Sequence, residues 1–160
     1  MNLDPLTLQH PGENVPGHGG EFRKIDSTNF PISKTIAATF VRLQPGGLRE
    51  LHWHPNAEEW LYFHQGTVRA TVFIGNSAAW TFDFSAGDTA AFLDNSGHYI
   101  ENTSDTDELV YIEIYNSERV ADISLTQWLA LTPADLVAQT LKVPISFVEQ
   151  LKKDKQVIVQ

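Results

Sequence analysis

The chain has 160 residues, 42% of them hydrophobic, which fits one globular domain with a real core and excludes a disordered chain. A formal net charge of −9 argues against nucleic acid and against an anionic membrane surface as partners, though not against a small anion held by a local buried charge. Cysteine is absent, so disulfides and thiolate sites are excluded, and any metal must rely on imidazole and carboxylate.

Along the chain, residues 1–20 carry Pro11, Gly12, Pro16, Gly17, Gly19 and Gly20 and no periodicity, which predicts an extended arm. The first thirty residues contain no apolar run of a signal peptide or a membrane helix, so a cytoplasmic location is expected, a removed leader aside. From 21 to 115 the segments 35–43, 58–64, 68–74, 79–84, 89–93, 98–102 and 109–115 are rich in β-branched and aromatic residues. Turn formers separate them: Pro45-Gly46-Gly47, Gln65-Gly66, Gly75-Asn76, Gly87-Asp88 and Asn95-Ser96-Gly97. The pattern predicts a mainly β sandwich or barrel. A helical segment follows over 122–153, with starts at Ser124 (Gln127 three residues on), Thr132 (Asp135, behind Pro133) and Ser146 (Glu149). Trp128, Leu129, Leu136, Val137 and Leu141 are the expected contact face of these helices. The whole of 1–160 is read as a single domain.

The segment "LHWHPNAEEWLYFHQG", residues 51–66, raises a chemical question. His52 and His54 stand at i and i+2, so in a strand both face one side, and Glu58 and Glu59 follow shortly. A core histidine is most often simply hydrogen-bonded, whereas such a pair with a nearby carboxylate is also a metal-ligand pattern. The local sequence leaves both readings open. His10 and His18 lie in the Gly/Pro arm and are expected to be solvated. By parity from Glu59, His64, Trp60 and Tyr62 point outward, as Trp53 does between the two histidines.

Wider spacing narrows the choice. Gly46 is followed by five residues, then His52, one residue, His54, four residues, Glu59, six residues and Gly66; Gly87 is followed by ten residues, His98, three residues and Asn102. Both stretches resemble the two cupin motifs, with Leu93 where proline is common and Asn95 where glycine is common. In this register Glu59, not Glu58, is the ligand. "STNFPISKTIAATFVRLQPGGLRELHWHPNAEEWLYFHQGTVRATVF", "GHYIEN" and "ADISLTQWLALTP" further resemble the second cupin half of the bicupin oxalate decarboxylases. The resemblance implies a double-stranded β-helix barrel, manganese held by His52, His54, Glu59 and His98, and oxalate as the substrate class. It also implies that a homodimer, or a trimer of dimers as in the related germins, stands in for the fused pair of barrels.

Three imidazoles and one carboxylate leave open positions on an octahedral ion, which suits manganese or iron, with other first-row divalent metals admissible. Arg49 is either a surface arginine or, as the resemblance implies, an anion-binding group. Strand parity points it away from the metal, so the functional reading requires a bulge or loop. Glu113, inside "LVYIEIY", needs a partner if buried, and Arg49 is the natural one. It is either catalytic or a structural counter-ion. Glu118, in "NSERVAD", is either a lid acid that delivers a proton or a solvated loop residue. Three functions remain open: conversion of oxalate to formate and carbon dioxide with dioxygen as co-catalyst, oxidation of oxalate with release of hydrogen peroxide, and carboxylate or metal binding without turnover.

Overall fold

A computed structural model describes residues 13–17, 19–76 and 78–160; His10 and His18 lie outside them. The described strands are β1 (Glu13–Gly17), β2 (Gly20–Ile25), β3 (Ala37–Leu43), β4 (Leu48–Trp53), β5 (Glu59–Gln65), β6 (Thr67–Gly75), β7 (Ala78–Ser85), β8 (Thr89–Phe92), β9 (Gly97–Asn102), β10 (Leu109–Tyr115), β11 (Ile123–Ser124) and β12 (Ile158–Val159). They form two antiparallel six-stranded sheets, one ordered β1-β2-β3-β10-β5-β8, the other β11-β4-β9-β6-β7 with β12 also on β4. This is the double-stranded β-helix barrel that the resemblance implies. Part of the N-terminal region is itself sheet, because β1 pairs with β2.

Alternation explains the inner and outer faces. In β3 every second residue is buried, and in β10 Tyr111, Glu113 and Tyr115 are buried between exposed Ile112 and Ile114. The core joins Phe22, Val41, Leu43, Leu61, Phe63, Ile100 and Tyr111 between the sheets. In β5, Leu61 and Phe63 face in while Trp60, Tyr62 and His64 are exposed. Asn95, at the position where glycine is common, has φ of +61°; asparagine tolerates the left-handed region that the turn requires, and its N–H reaches the His54 carbonyl at 2.8 Å. Gly66 also has positive φ, and a Cβ there would stand 2.8 Å from the Glu108 carbonyl oxygen.

The helices are α1 (Leu125–Leu131), α2 (Ala134–Leu141) and α3 (Ile145–Val148). Ser124 caps α1, accepting from the Gln127 N–H at 3.1 Å. The other two expected starts are corrected. Thr132 closes α1, its hydroxyl donating to the Trp128 carbonyl at 2.8 Å, so Pro133 becomes the cap of α2. Pro144 begins α3, and Ser146 lies inside it. The expected contact face is corrected in part, since Val137 is buried as expected and Trp128 packs edge-on against Trp53 at 5.9 Å between ring centres. Val137 and Val148 are buried, whereas Trp128, Leu136 and Leu141 are exposed. These helices are too short to bury a broad stripe against the barrel.

Candidate metal centre

Strand β4 carries the decisive irregularity. Leu48 and Arg49 pair with Glu101 and Ile100 of β9, and His52 pairs with His98. Three steps on β4 therefore oppose two on β9, which is a β-bulge. The extra residue turns both Arg49 and Glu50 inward, exposes Leu51, and returns His52 to the interior. The bulge that the functional reading of Arg49 required is present.

The structure brings His52, His54, Glu59 and His98 together, all buried, with one potential ligand atom from each lying within 4.8 Å of the others. His52 and His98 face one another across the ladder, ring centroids 4.2 Å apart. His54 follows β4, and Glu59 opens β5. The Glu59 Oε2 is 2.9 Å from His98 Nε2 and 3.1 Å from His54 Nε2. Glu58 is elsewhere, only partly buried, its carboxylate accepting from Asn116 Nδ2 at 3.3 Å.

The chemistry of this cluster fits a cation. Each imidazole has its Nδ1 against a backbone carbonyl: His52 on Glu50 at 2.6 Å, His54 on Ala121 at 3.0 Å, His98 on Ser96 at 2.9 Å. A carbonyl only accepts, so in the neutral rings Nδ1 carries the proton and Nε2 turns a lone pair inward. The three Nε2 atoms and both Glu59 oxygens are buried without a hydrogen-bond partner. Lone pairs and a carboxylate converging in a dry space are stable only around a positive charge. Burial, then the charge of Arg49, hold His52 well below the ordinary histidine range. Burial pushes His54 down as well, but Glu59 outweighs it and leaves His54 above the ordinary value. For Glu59, burial works upward, and His98 and His54 overcome it, holding the carboxylate far below its usual range.

Beside the cluster lies a buried charge network. The Arg49 guanidinium donates from Nη1 to the Val157 carbonyl at 3.2 Å and from Nη2 to Asp122, with Nε 3.6 Å from Glu113 Oε1 and Cζ 5.1 Å from the centre of the Phe22 ring. Tyr115 donates its hydroxyl to Glu113 Oε2 at 2.6 Å. Burial, and after it the charge of Glu59, push Glu113 up to about 7 against the opposing pull of Arg49. Glu118 is not part of this network. Its side chain is exposed, and its carbonyl accepts from the Ser27 N–H at 2.9 Å. The loop around it is clamped, with Asn56 bonded to the Arg119 carbonyl at 2.9 Å and to the Ala121 N–H at 2.8 Å.

The sequence reading missed Asp122 and Lys155. Lys155 Nζ is 2.8 Å from Asp122 Oδ1 and 2.7 Å from its carbonyl oxygen. Asp122 had a signal, an acid one residue before β11. Lys155 had none, because only the fold returns the C-terminus to β4 through β12.

Comparison with known proteins agrees with this geometry. The chain is 64% identical over 149 residues to a probable oxalate decarboxylase of Arthroderma benhamiae, covering 93% of this chain and 37% of that protein. It is 43% identical to oxalate decarboxylase OxdC of Bacillus subtilis, covering 92% of this chain and 38% of the relative. A structure of the Bacillus subtilis enzyme at pH 4.6 superposes with a TM-score of 0.89 at 43% identity, over 92% of this chain and 38% of that one. Another, from work on the Mn(II) centres of that enzyme, gives the same TM-score of 0.89. The chain thus spans little over a third of the length of the curated relatives it matches. The Cupin family model matches residues 6–147. With that match over most of its length, and two facing antiparallel sheets enclosing the His-His-Glu-His cluster, the chain belongs to the cupin family.

Proposed function

We propose that this chain is a manganese-dependent, oxalate decarboxylase-like enzyme that converts oxalate to formate and carbon dioxide, with dioxygen as co-catalyst. The observation that carries this reading is the buried, unpartnered cluster of His52, His54, Glu59 and His98 set beside a buried arginine–glutamate pair. Similarity to oxalate decarboxylases, one of them studied for its Mn(II) centres, supports the choice of substrate and metal. His52, His54, Glu59 and His98 would hold the ion, which supplies Lewis acidity toward a carboxylate and one-electron chemistry when bound.

The chain's own groups then have distinct tasks. Arg49 binds and polarises a substrate carboxylate through its planar fork. The carbon–carbon bond of oxalate breaks, carbon dioxide leaves, and the remaining carbon takes one proton to become formate. In this reading Glu113 gives that proton. With a value of about 7 it is largely protonated below neutrality, and Tyr115 orients it by donating to Oε2. The barrel interior excludes bulk water, since Arg49, Glu59 and Glu113 are all buried.

A second reading, oxalate oxidation to carbon dioxide with hydrogen peroxide, is favoured by one observation: Glu118, the acid of the loop, is exposed and its loop is clamped. Metal analysis followed by oxalate turnover separates the readings. Formate supports the decarboxylase and peroxide the oxidase; a metal-loaded protein that gives neither is a carboxylate- or metal-binding cupin.

Assembly belongs to the same proposal. Trp128, Leu131, Leu136 and Leu141 on the helices are exposed in the single chain, and a homodimer, or a trimer of dimers, would cover them. Sedimentation as a monomer at micromolar concentration would contradict it. Among the described residues no helix is long and apolar enough to cross a membrane.

A further inference from the structure

We propose that Asp122 is a specificity-determining residue, whose carboxylate occupies the arm of the Arg49 guanidinium that a substrate carboxylate needs, so that a dianion binds by exchange with it. This rests on the reading of Arg49 as the anion-binding group.

The first observation is how Arg49 is held. Nη1 donates to the Val157 carbonyl, Nη2 donates to Asp122, Nε lies 3.6 Å from Glu113 without a hydrogen bond, and Phe22 lies against the guanidinium face. A carboxylate that engages the guanidinium through Nη2 competes with its present partner for that nitrogen. Glu113 is held in the middle of a sheet between β3 and β5, and the Val157 carbonyl is fixed by the Glu50 N–H at 3.3 Å and by β12 immediately after it. Asp122 alone of the three is a side chain from a loop, and the one that keeps partial access to solvent.

The second observation is a cavity of about 240 Å³ lined by Phe22, Lys24, Tyr115, Asp122, Lys155 and Val157. Phe22, Asp122 and Val157 are themselves partners of Arg49, and Tyr115 is the partner of Glu113. Asp122 thus borders both this space and the guanidinium.

The third observation is that Asp122 has somewhere to go. Lys155 already contacts its Oδ1 at 2.8 Å, so a side-chain rotation transfers the carboxylate from one cation to another without leaving it unpaired. The backbone does not need to move, and it is held in place: the Ala121 carbonyl receives His54 Nδ1 at 3.0 Å and the Ala121 N–H is held by Asn56 at 2.8 Å. Exchange sets a threshold. A dianion presents one carboxylate to the histidine cluster and a second to displace Asp122. A monoanion such as formate presents only one, so product is released where substrate is retained.

The test is calorimetric titration of the metal-loaded full chain with oxalate and with formate, for the wild type, Asp122→Asn and Lys155→Met, with metal content measured for each. If Arg49 is free about a tenth of the time, removing its competitor tightens apparent affinity about tenfold. Asp122→Asn is expected to tighten oxalate by that factor and to leave formate, which presents no second carboxylate to Arg49, unchanged. Lys155→Met, at a partly exposed position, is expected to weaken oxalate binding severalfold, because Asp122 is then left wholly to Arg49. Unchanged or weaker oxalate binding in Asp122→Asn at wild-type metal content overturns the proposal. If that variant does not fold, unchanged affinity in Lys155→Met overturns it. A wild type that binds neither anion overturns the reading of Arg49 itself, whereas a wild type that binds oxalate with no response in either variant overturns only the role of Asp122.

Discussion

Replacing Arg49 with lysine keeps one positive charge and removes the planar fork. The arginine serves a carboxylate, a second carboxylate 3.6 Å away, and the Val157 carbonyl at 3.2 Å, all from one buried side chain. An ammonium group on a shorter stem reaches one of these directions well and abandons another. Losing a hydrogen bond from a charged donor costs about 1.5–3 kcal/mol, and the weakened contact with Phe22 adds about 0.5–1 kcal/mol. Arg49→Lys is therefore expected to lower unfolding stability by about 2–4 kcal/mol, read from urea denaturation at fixed metal concentration. Metal content should stay near the wild-type value, because Arg49 makes no hydrogen bond to His52, His54, Glu59 or His98. Oxalate turnover should fall by at least about 100-fold, the scale of losing one preorganised donor at a developing charge. A folded, metal-loaded Arg49→Lys variant with wild-type turnover would refute the argument, since the fork would then have no part in the chemistry.

His52→Ala removes one of the four converging groups and should abolish most metal binding, measured by elemental analysis; wild-type metal content would remove it from the ligand set. Glu118→Gln should leave formate output unchanged, because its side chain is exposed and outside the network; a shift of product toward peroxide would show that it acts in turnover. Asn102→Ala should cost about 3 kcal/mol in urea denaturation, because its amide donates to the carbonyls of Leu43, Gln44 and Asp107 and accepts from the Ser104 N–H; a loss below about 1 kcal/mol would exclude it as a clamp. Asp26 has its carboxyl lowered: burial alone raises it, but hydrogen bonds from Thr28 and the Lys24 ammonium reverse the sign. Its contribution is therefore present above the unfolded value of about 3.9 and fades as pH falls through the lower folded value. The stability gap between wild type and Asp26→Asn should accordingly close below about pH 4, and a gap independent of pH would refute it.

The strands were legible because the period of two is written in side chains: Tyr111, Glu113 and Tyr115 alternate with Ile112 and Ile114, and the structure buries the first set. The grouping of His52, His54, Glu59 and His98 was legible through the resemblance of their spacing to the two cupin motifs, where the local sequence alone left it open. Parity alone misplaced Arg49, and only a bulge reconciles its burial with that of His52. The helix starts were less legible. Thr132 can cap forward or bond back, and its hydroxyl chose the Trp128 carbonyl, leaving the proline to begin α2. Asp122 and Lys155 were illegible as a pair, since 33 residues separate them and only the return of β12 to β4 brings them together.

What remains is the division of labour between two buried carboxylates in one barrel. Glu59 and Glu113 lie on adjacent strands, both fully enclosed, and burial drives both upward. The two histidines in contact with Glu59 reverse that push, so it stays ionised and can hold a cation. Glu113 has one cation near it, Arg49, and that arginine sits closer to Asp122 than to Glu113. The negative charge of Glu59 adds to the push of burial on Glu113 and outweighs the pull of Arg49, and a cation held by Glu59 would offset that part of the push. The surroundings thus hold Glu59 ionised and push Glu113 toward its protonated form, which is the pair of states that the proposed ligand and the proposed acid require.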